Sequence, residues 1–283
     1  MKRPILLVPA VFILVMGLVA FEWPVDPSSL RFNFGFSGGS FKRGSELGVP
    51  DAVISAPADG DLVFACDAPR LPGGYPLPDG SLAAISHDSG MMSIYTGIQP
   101  GSLSSYMGAV RTGDPIGVAP QAVSGRFVSF YVYDSREKRF VNPFILLPKM
   151  GDDKPPVIRS ITFRSGKDEI QLDRGVSVRQ GAWLLVIDAS DMSPMGLPSA
   201  PFELRVVIDG SERFHTVYDA AWASSGESHL FSAQAVPEKD FFLADGRAGF
   251  GPVSLTRGTM MLTVIVTDFS GNKREVTYSI QVQ

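Results

Sequence analysis

Ala84-Ile-Ser-His87-Asp-Ser-Gly90-Met-Met-Ser93-Ile-Tyr95 carries the reading of the fold. Two apolar runs, Leu82–His87 and Met91–Tyr95, flank a turn in which Asp and Gly supply the backbone angles of a tight hairpin. Runs of the same kind lie on either side, at Ala52–Ser55, Gly60–Cys66 and Phe127–Tyr133. In the last of these, the two-residue period of a strand turns Phe130 and Val132 to a core and Tyr131 and Tyr133 to the other face. Gly-Pro-Asp clusters separate the runs, the longest being Asp67 to Gly80, which reads as an exposed excursion.

The same pattern resumes downstream. Val157–Arg164, Ala182–Asp188, Glu203–Ile208, Arg213–Tyr218, Met260–Asp268 and Glu275–Val282 are strand-like, and Asp209-Gly210 reads as a hairpin turn. No stretch after the N-terminus repeats with a helical period, so the chain is expected to be all-β. Between the two sets of strands, Lys149–Pro156 is polar, ends in two prolines and reads as a linker. The expected organisation is residues 1–21, then a β domain over 22–148, a linker over 149–156 and a β-sandwich over 157–283.

Composition agrees. The 283 residues are 45% hydrophobic and 19% charged, so a buried core is expected rather than disorder. The 22 prolines and 29 glycines suit short strands and turns. A net charge of −4 argues against a nucleic-acid partner, since no cationic surface is implied to neutralise phosphates. Lys2 and Arg3 followed by the uncharged run Ile5–Phe21 form a signal or anchor pattern, which predicts export to the cell envelope or periplasm, with the segment cleaved or kept as a membrane anchor over residues 5–21. Cys66 is the only cysteine, so no internal disulfide exists, and its apolar strand context assigns it no chemistry.

Several ordered segments resemble the M23, or LytM-like, peptidoglycan metallopeptidases. Arg31-Phe-Asn-Phe-Gly35 with Gly39 and Gly44 is similar to that family's opening segment. Val49-Pro50, Ile54-Ser-Ala56 and Asp59-Gly60-Asp-Leu-Val63 match its first strand pair, and Ala84 to Tyr95 its hairpin. Val110-Arg-Thr-Gly113-Asp114-Pro-Ile116-Gly117 and Val141-Asn142-Pro143 with Leu146-Leu147-Pro148 match its closing segments. Asp268-Phe-Ser-Gly-Asn272 is also similar to a turn of bacterial immunoglobulin-like modules.

The resemblance implies a zinc site of two histidines and an aspartate, with two further histidines assisting the water; neutral imidazoles and a carboxylate hold Zn²⁺ and leave one position open. This sequence departs at those positions. Lys42 and Glu46 stand at H-x-x-x-D, Phe127 and Ser129 at H-x-H, and Gly97 at the histidine of Y-x-H. An ammonium has no lone pair and repels a dication. The expectation is therefore a non-catalytic member with no metal and no cofactor, binding peptidoglycan or an envelope protein and regulating a wall hydrolase. Phe41, Tyr95, Phe127, Tyr131 and Tyr133 are its candidate groove residues, either stacking on a ligand or filling the vacated metal cavity.

Two alternatives stand beside it: an active zinc endopeptidase rebuilt around Glu46 and His87, and a purely structural tether. The other histidines, His215 and His229, fall in the second domain. Asp188, Asp191 and Asp268 to Asn272 offer oxygen ligands for calcium, but their spacing reads better as turns.

Overall fold

A computed structural model describes residues 21–48, 50–67, 80–104, 107–121 and 127–283. The apolar N-terminal run up to residue 20 and the Pro/Gly excursion over 68–79 lie outside the described residues. Among the described residues no helix is long and apolar enough to cross a membrane.

The first half opens with four three-residue strands, β1 (Leu30–Phe32), β2 (Gly35–Ser37), β3 (Ser40–Lys42) and β4 (Ser45–Leu47). Then come β5 (Val53–Ser55), β6 (Gly60–Cys66), β7 (Ser81–Ser86) and β8 (Met91–Ile98). It closes with β9 (Gly108–Val110), β10 (Pro115–Val118), β11 (Val128–Asp134) and β12 (Arg139–Val141). Residues 149–156 carry no regular structure.

The second half begins with β13 (Val157–Ser165), β14 (Asp168–Gln171), β15 (Ser177–Val178) and β16 (Gly181–Met192). Next are β17 (Pro198–Ser199), β18 (Glu203–Ile208), β19 (Ser211–Val217) and β20 (Ala220–Ser224). The remainder is β21 (Glu227–Leu230), β22 (Val236–Pro237), α1 (Glu238–Phe241), β23 (Ala248–Leu255), β24 (Gly258–Thr267) and β25 (Lys273–Val282). The molecule is all-β, and the four-residue α1 is the sole α-helix among the described residues.

In the second half, β14-β13-β16-β17 with β23 form one sheet and β15-β25-β24-β18-β19 the other. One cluster of buried side chains drawn from both holds them together as a sandwich, with Phe163, Leu185, Val206, Leu262 and Ile280 at 0–1% exposure. The Asp209-Gly210 turn has positive φ at both residues, as a tight hairpin needs.

The sheet of the first half runs β9-β6-β7-β8-β11-β12, and it does not stop at the linker. β12 pairs with β20 through Phe140↔Ala221 and Val141↔Ala220, so β20, β21 and β22 extend it with chain from the second half. Traffic runs the other way too. Phe34 and Phe41, at the ends of the β2–β3 hairpin, are buried in the sandwich-side core with Tyr218 and Phe241. Asn142 donates from Nδ2 to the Tyr218 carbonyl at 2.7 Å and from its backbone N–H to that of Asp219 at 2.8 Å.

β11 positions the site. Its sequence Val-Ser-Phe-Tyr-Val-Tyr-Asp alternates buried and half-buried, as the two-residue period requires. Phe130 and Val132 are fully buried, each contributing roughly 2–3 kcal/mol by burial. One edge of β11 pairs with β8 along its length. The other edge is shared: Val128–Phe130 pair with β4, and Val132–Asp134 with β12. Tyr131 sits at the break between them.

Candidate functional site

At that break lies a groove of about 680 Å³ whose walls include Lys42, Arg43, Gly44, Glu46, Thr96, Ser129, Tyr131, Phe140 and Ala223. Its floor is the in-register row Glu46, Ser129 and Thr96, which Phe32 of β1 continues beyond the groove. Phe32 of β1 faces Glu46 of β4, Glu46 faces Ser129 of β11, and Ser129 faces Thr96 of β8. The bend between β3 and β4 closes over this row. Gly44 makes that approach possible, because a Cβ there would come within 2.3 Å of the Phe130 carbonyl oxygen.

The bend delivers Lys42 beside Glu46, with Nζ 2.6 Å from Oε1 and both side chains largely shielded. Lys42 also stands 5.6 Å from the centre of the Phe32 ring, within reach of its negative face. Three of the positions that the sequence aligned with a metal site, Lys42, Glu46 and Ser129, do meet in one groove. Their chemistry does not suit a metal: the ammonium occupies the neighbourhood of the one carboxylate, and a serine hydroxyl is a weak ligand. Gly97 is stricter still. Its φ is +78° and a Cβ there would lie 2.1 Å from the Phe127 carbonyl oxygen, so no side chain fits. The residues present do not fit a zinc ion.

The aromatic expectations divide. Tyr131 lines the groove, and Phe140, which the sequence reading passed over, packs edge-on against it at 5.9 Å and against Tyr133 at 5.2 Å. Tyr95 needs correction as a groove residue: it is 0% exposed, faces Phe130 at 5.3 Å inside the core, and donates to the Ser55 carbonyl at 3.2 Å. Burial pushes its phenol pKa far up, so it stays neutral. Phe41 touches the groove but is 8% exposed and packs on Phe34 and Phe242, so it serves as wall and core rather than as a stacking surface. Phe127 is half-buried beneath the Arg31 guanidinium, 3.3 Å from its ring centre, which occupies that face. Arg43, Thr96, Phe140 and Ala223 are among the additions; Arg43 donates to Ser228 Oγ at 2.9 Å and lies 3.5 Å from Glu238.

His87 belongs to a different part of the molecule. It is 4% exposed, with Nδ1 2.8 Å from the Asp59 carbonyl and Nε2 3.0 Å from Ser93 Oγ. A carbonyl can only accept, so Nδ1 carries the proton and Nε2 accepts from the serine. Burial holds its pKa below the ordinary histidine value. Its N–H bonds the Met91 carbonyl at the hairpin end. Thr96, level with Glu46, lies five residues further along β8, about 16 Å at strand rise. Ser93, its partner, is buried on the core face, whereas Glu46 and Ser129 face the groove. His87 and Glu46 therefore stand on opposite faces. Of the other two, His215 pairs with Glu203 at 2.7 Å and His229 stacks on Trp222.

Of the acidic residues offered as oxygen ligands, Asp188 stands apart while Asp191 and Asp268 come together. Asp188 meets Arg159 at 2.9 Å. Asp268 forms its turn, accepting from the N–H groups of Gly271 at 2.7 Å and Asn272 at 2.9 Å. Asp191 and Asp268 approach Asp152 of the linker, with carboxylate oxygens all within 4.8 Å. Burial and these two neighbours raise the Asp191 carboxyl pKa to about 6.

One protein family matches residues 155–283. No curated protein matches the chain. Among solved structures, Helicobacter pylori Csd3 is similar over 48% of this chain and 36% of its own, with 20% identity and a TM-score of 0.34. The SpoIIQ–SpoIIIAH pore-forming complex is similar over 47% of this chain and 93% of its own, at 20% identity and a TM-score of 0.36. A zinc-containing peptidase from Vibrio cholerae is similar over 48% and 41%, at 21% identity and 0.34. The chain thus spans about a third of the length of Csd3.

Proposed function

We propose that this chain is a non-catalytic, LytM-like protein of the cell envelope that binds peptidoglycan or an envelope protein in the β11 groove, in a regulatory role towards a wall hydrolase. One observation carries the reading: the Lys42 ammonium sits 2.6 Å from the Glu46 carboxylate, where the resemblance would put the metal's first ligands. A fixed cation there neutralises the single acid and repels a second cation. Donors, acceptors and an aromatic wall remain. Lys42, Glu46, Ser129 and Thr96 present polar groups, and Tyr131 and Phe140 present ring surface.

The rival, a zinc endopeptidase rebuilt from Glu46 and His87, asks two side chains on opposite faces of one sheet to share an ion. Export through the Ile5–Phe21 run, cleaved or retained as an anchor, and an immunoglobulin-like fold for the sandwich complete the proposal. The test is co-sedimentation of the purified protein with isolated sacculi and with a detergent extract of the envelope. Tyr131→Ala with Phe140→Ala is expected to lower the melting temperature, since Phe140 packs on the core, and to weaken retention about tenfold at a temperature where both proteins are still folded. Retention equal to that of the parent protein would reject the groove, and absence of any bound wall or protein would reject the function.

A further inference from the structure

The far end of the sandwich holds a second concavity, of about 500 Å³, between the Asp209-Gly210 turn and the loop joining β23 to β24. Its base is apolar: Ile208, Val253 and Met260 line it, each 6–8% exposed. Arg213 and Arg257 line the same cavity and are exposed. Four arginines elsewhere in the second half are held in ion pairs, Arg159 by Asp188, Arg179 by Asp168, Arg205 by Glu203 and Arg247 by Glu169 and Asp245. Neither Arg213 nor Arg257 has a carboxylate partner among the described residues. The one acid in the cavity, Asp209, is engaged by the Met261 N–H at 2.8 Å. Two guanidinium groups against one committed carboxylate leave a net positive mouth over an apolar base.

We infer that this cavity binds an oxyanion carried on an apolar body, a phosphate- or carboxylate-headed amphiphile. Arg213 and Arg257 hold the head, and Ile208, Val253 and Met260 receive the first carbons of the tail. Guanidinium presents paired N–H donors that match two oxygens of either anion, and a charged hydrogen bond of this kind survives competition from water better than a neutral one. The apolar base favours a ligand that brings carbon with its charge over a free ion.

The site lies beyond the linker and away from the β11 groove, so its fate is independent of the proposed function. β18 runs from Glu203, level with Thr267 beside the Asp268 turn, to Ile208 at the cavity, and the Asp268 turn is the end that meets the linker.

The test uses the full chain in a non-ionic sugar detergent free of phosphate and carboxylate groups, titrated calorimetrically with hexyl phosphate, hexanoate, inorganic phosphate and hexanol, each corrected for its heat in protein-free detergent. Saturable binding of hexyl phosphate or hexanoate is expected, at least tenfold tighter than inorganic phosphate, with hexanol silent. Which of the two hexyl anions binds tighter identifies the head group. Arg213→Gln and Arg257→Gln, both on exposed side chains, should each weaken it about tenfold. No saturation by either hexyl anion overturns the inference, as does an Arg213→Gln/Arg257→Gln double variant that binds like the parent. Inorganic phosphate binding as tightly as hexyl phosphate would overturn the apolar half of it.

Discussion

Lys42 and Glu46, four residues apart on either side of a bend rather than on a helix, hold each other at 2.6 Å over the floor of the β11 groove. The contact depends on three local facts: the register that sets Glu46 beside Ser129, the bareness of Gly44, and the end of β3 at Lys42. It sets the ammonium of the chain itself beside the one carboxylate of the groove.

The pair should be measurable as a coupling. Lys42→Met alone strands a shielded carboxylate, and Glu46→Gln alone strands a shielded ammonium. A double-mutant cycle in urea is expected to give a coupling of about 1 kcal/mol, at the upper end for partly exposed pairs. Additive effects would mean that the two side chains ignore each other in solution.

Gly97 has no room for a side chain. With φ at +78° and the Phe127 carbonyl 2.1 Å from any Cβ, Gly97→Ala should cost at least about 2 kcal/mol in chemical denaturation. Gly97→His should cost as much or more and confer no metal affinity. A Gly97→Ala protein as stable as the parent would show that this stretch of β8 runs differently.

Asp191 gives a pH signature. Its carboxyl titrates near 6 in the folded chain and near 3.9 unfolded, so the native state holds the extra proton between those values. Stability should therefore fall as pH rises through roughly 4 to 6 and stay lowered above it. Asp191→Asn keeps an acceptor for the Met192 N–H and removes the cost. At pH 7.5 it should gain about 1 kcal/mol, the full linkage value being discounted because the group is partly solvated, and melt some 2–4 °C higher. Near pH 3.5 the two proteins should melt alike. A variant that loses stability at pH 7.5 would refute the assignment.

His87 works in the opposite sense. Its folded pKa lies below the unfolded value near 6.5, so the unfolded chain binds the proton first and stability declines as pH drops below that value. In Asp191→Asn, where the opposing slope is gone, the decline should stand clear in melts between pH 7.5 and 5. An assigned His87 imidazole resonance that titrates at or above 6.5 would contradict it.

Much of this was legible beforehand. The alternation in Val128–Asp134 named the core and groove faces of β11, and the Asp and Gly turns fell where strands ended. Other parts gave no local signal. β23 contains Gly249, Gly251 and Pro252, none a strand former, yet it is a strand because β16 pairs with it and Phe250 and Val253 bury beneath it. β20, Ala-Ala-Trp-Ala-Ser, lacks β-branched residues and takes its form from the edge of β12. Tyr95 was misplaced for a related reason. In β8 the buried face carries Ser93 and Tyr95 and the groove face Ile94 and Thr96, so polarity points the wrong way and only the neighbouring strands decide.

The decisive measurement is elemental analysis of the purified protein after equilibration with excess zinc and gel filtration. Background metal only is expected, unchanged when Lys42 is left intact and Glu46 is replaced by glutamine. One zinc per chain, lost in Glu46→Gln, would contradict it.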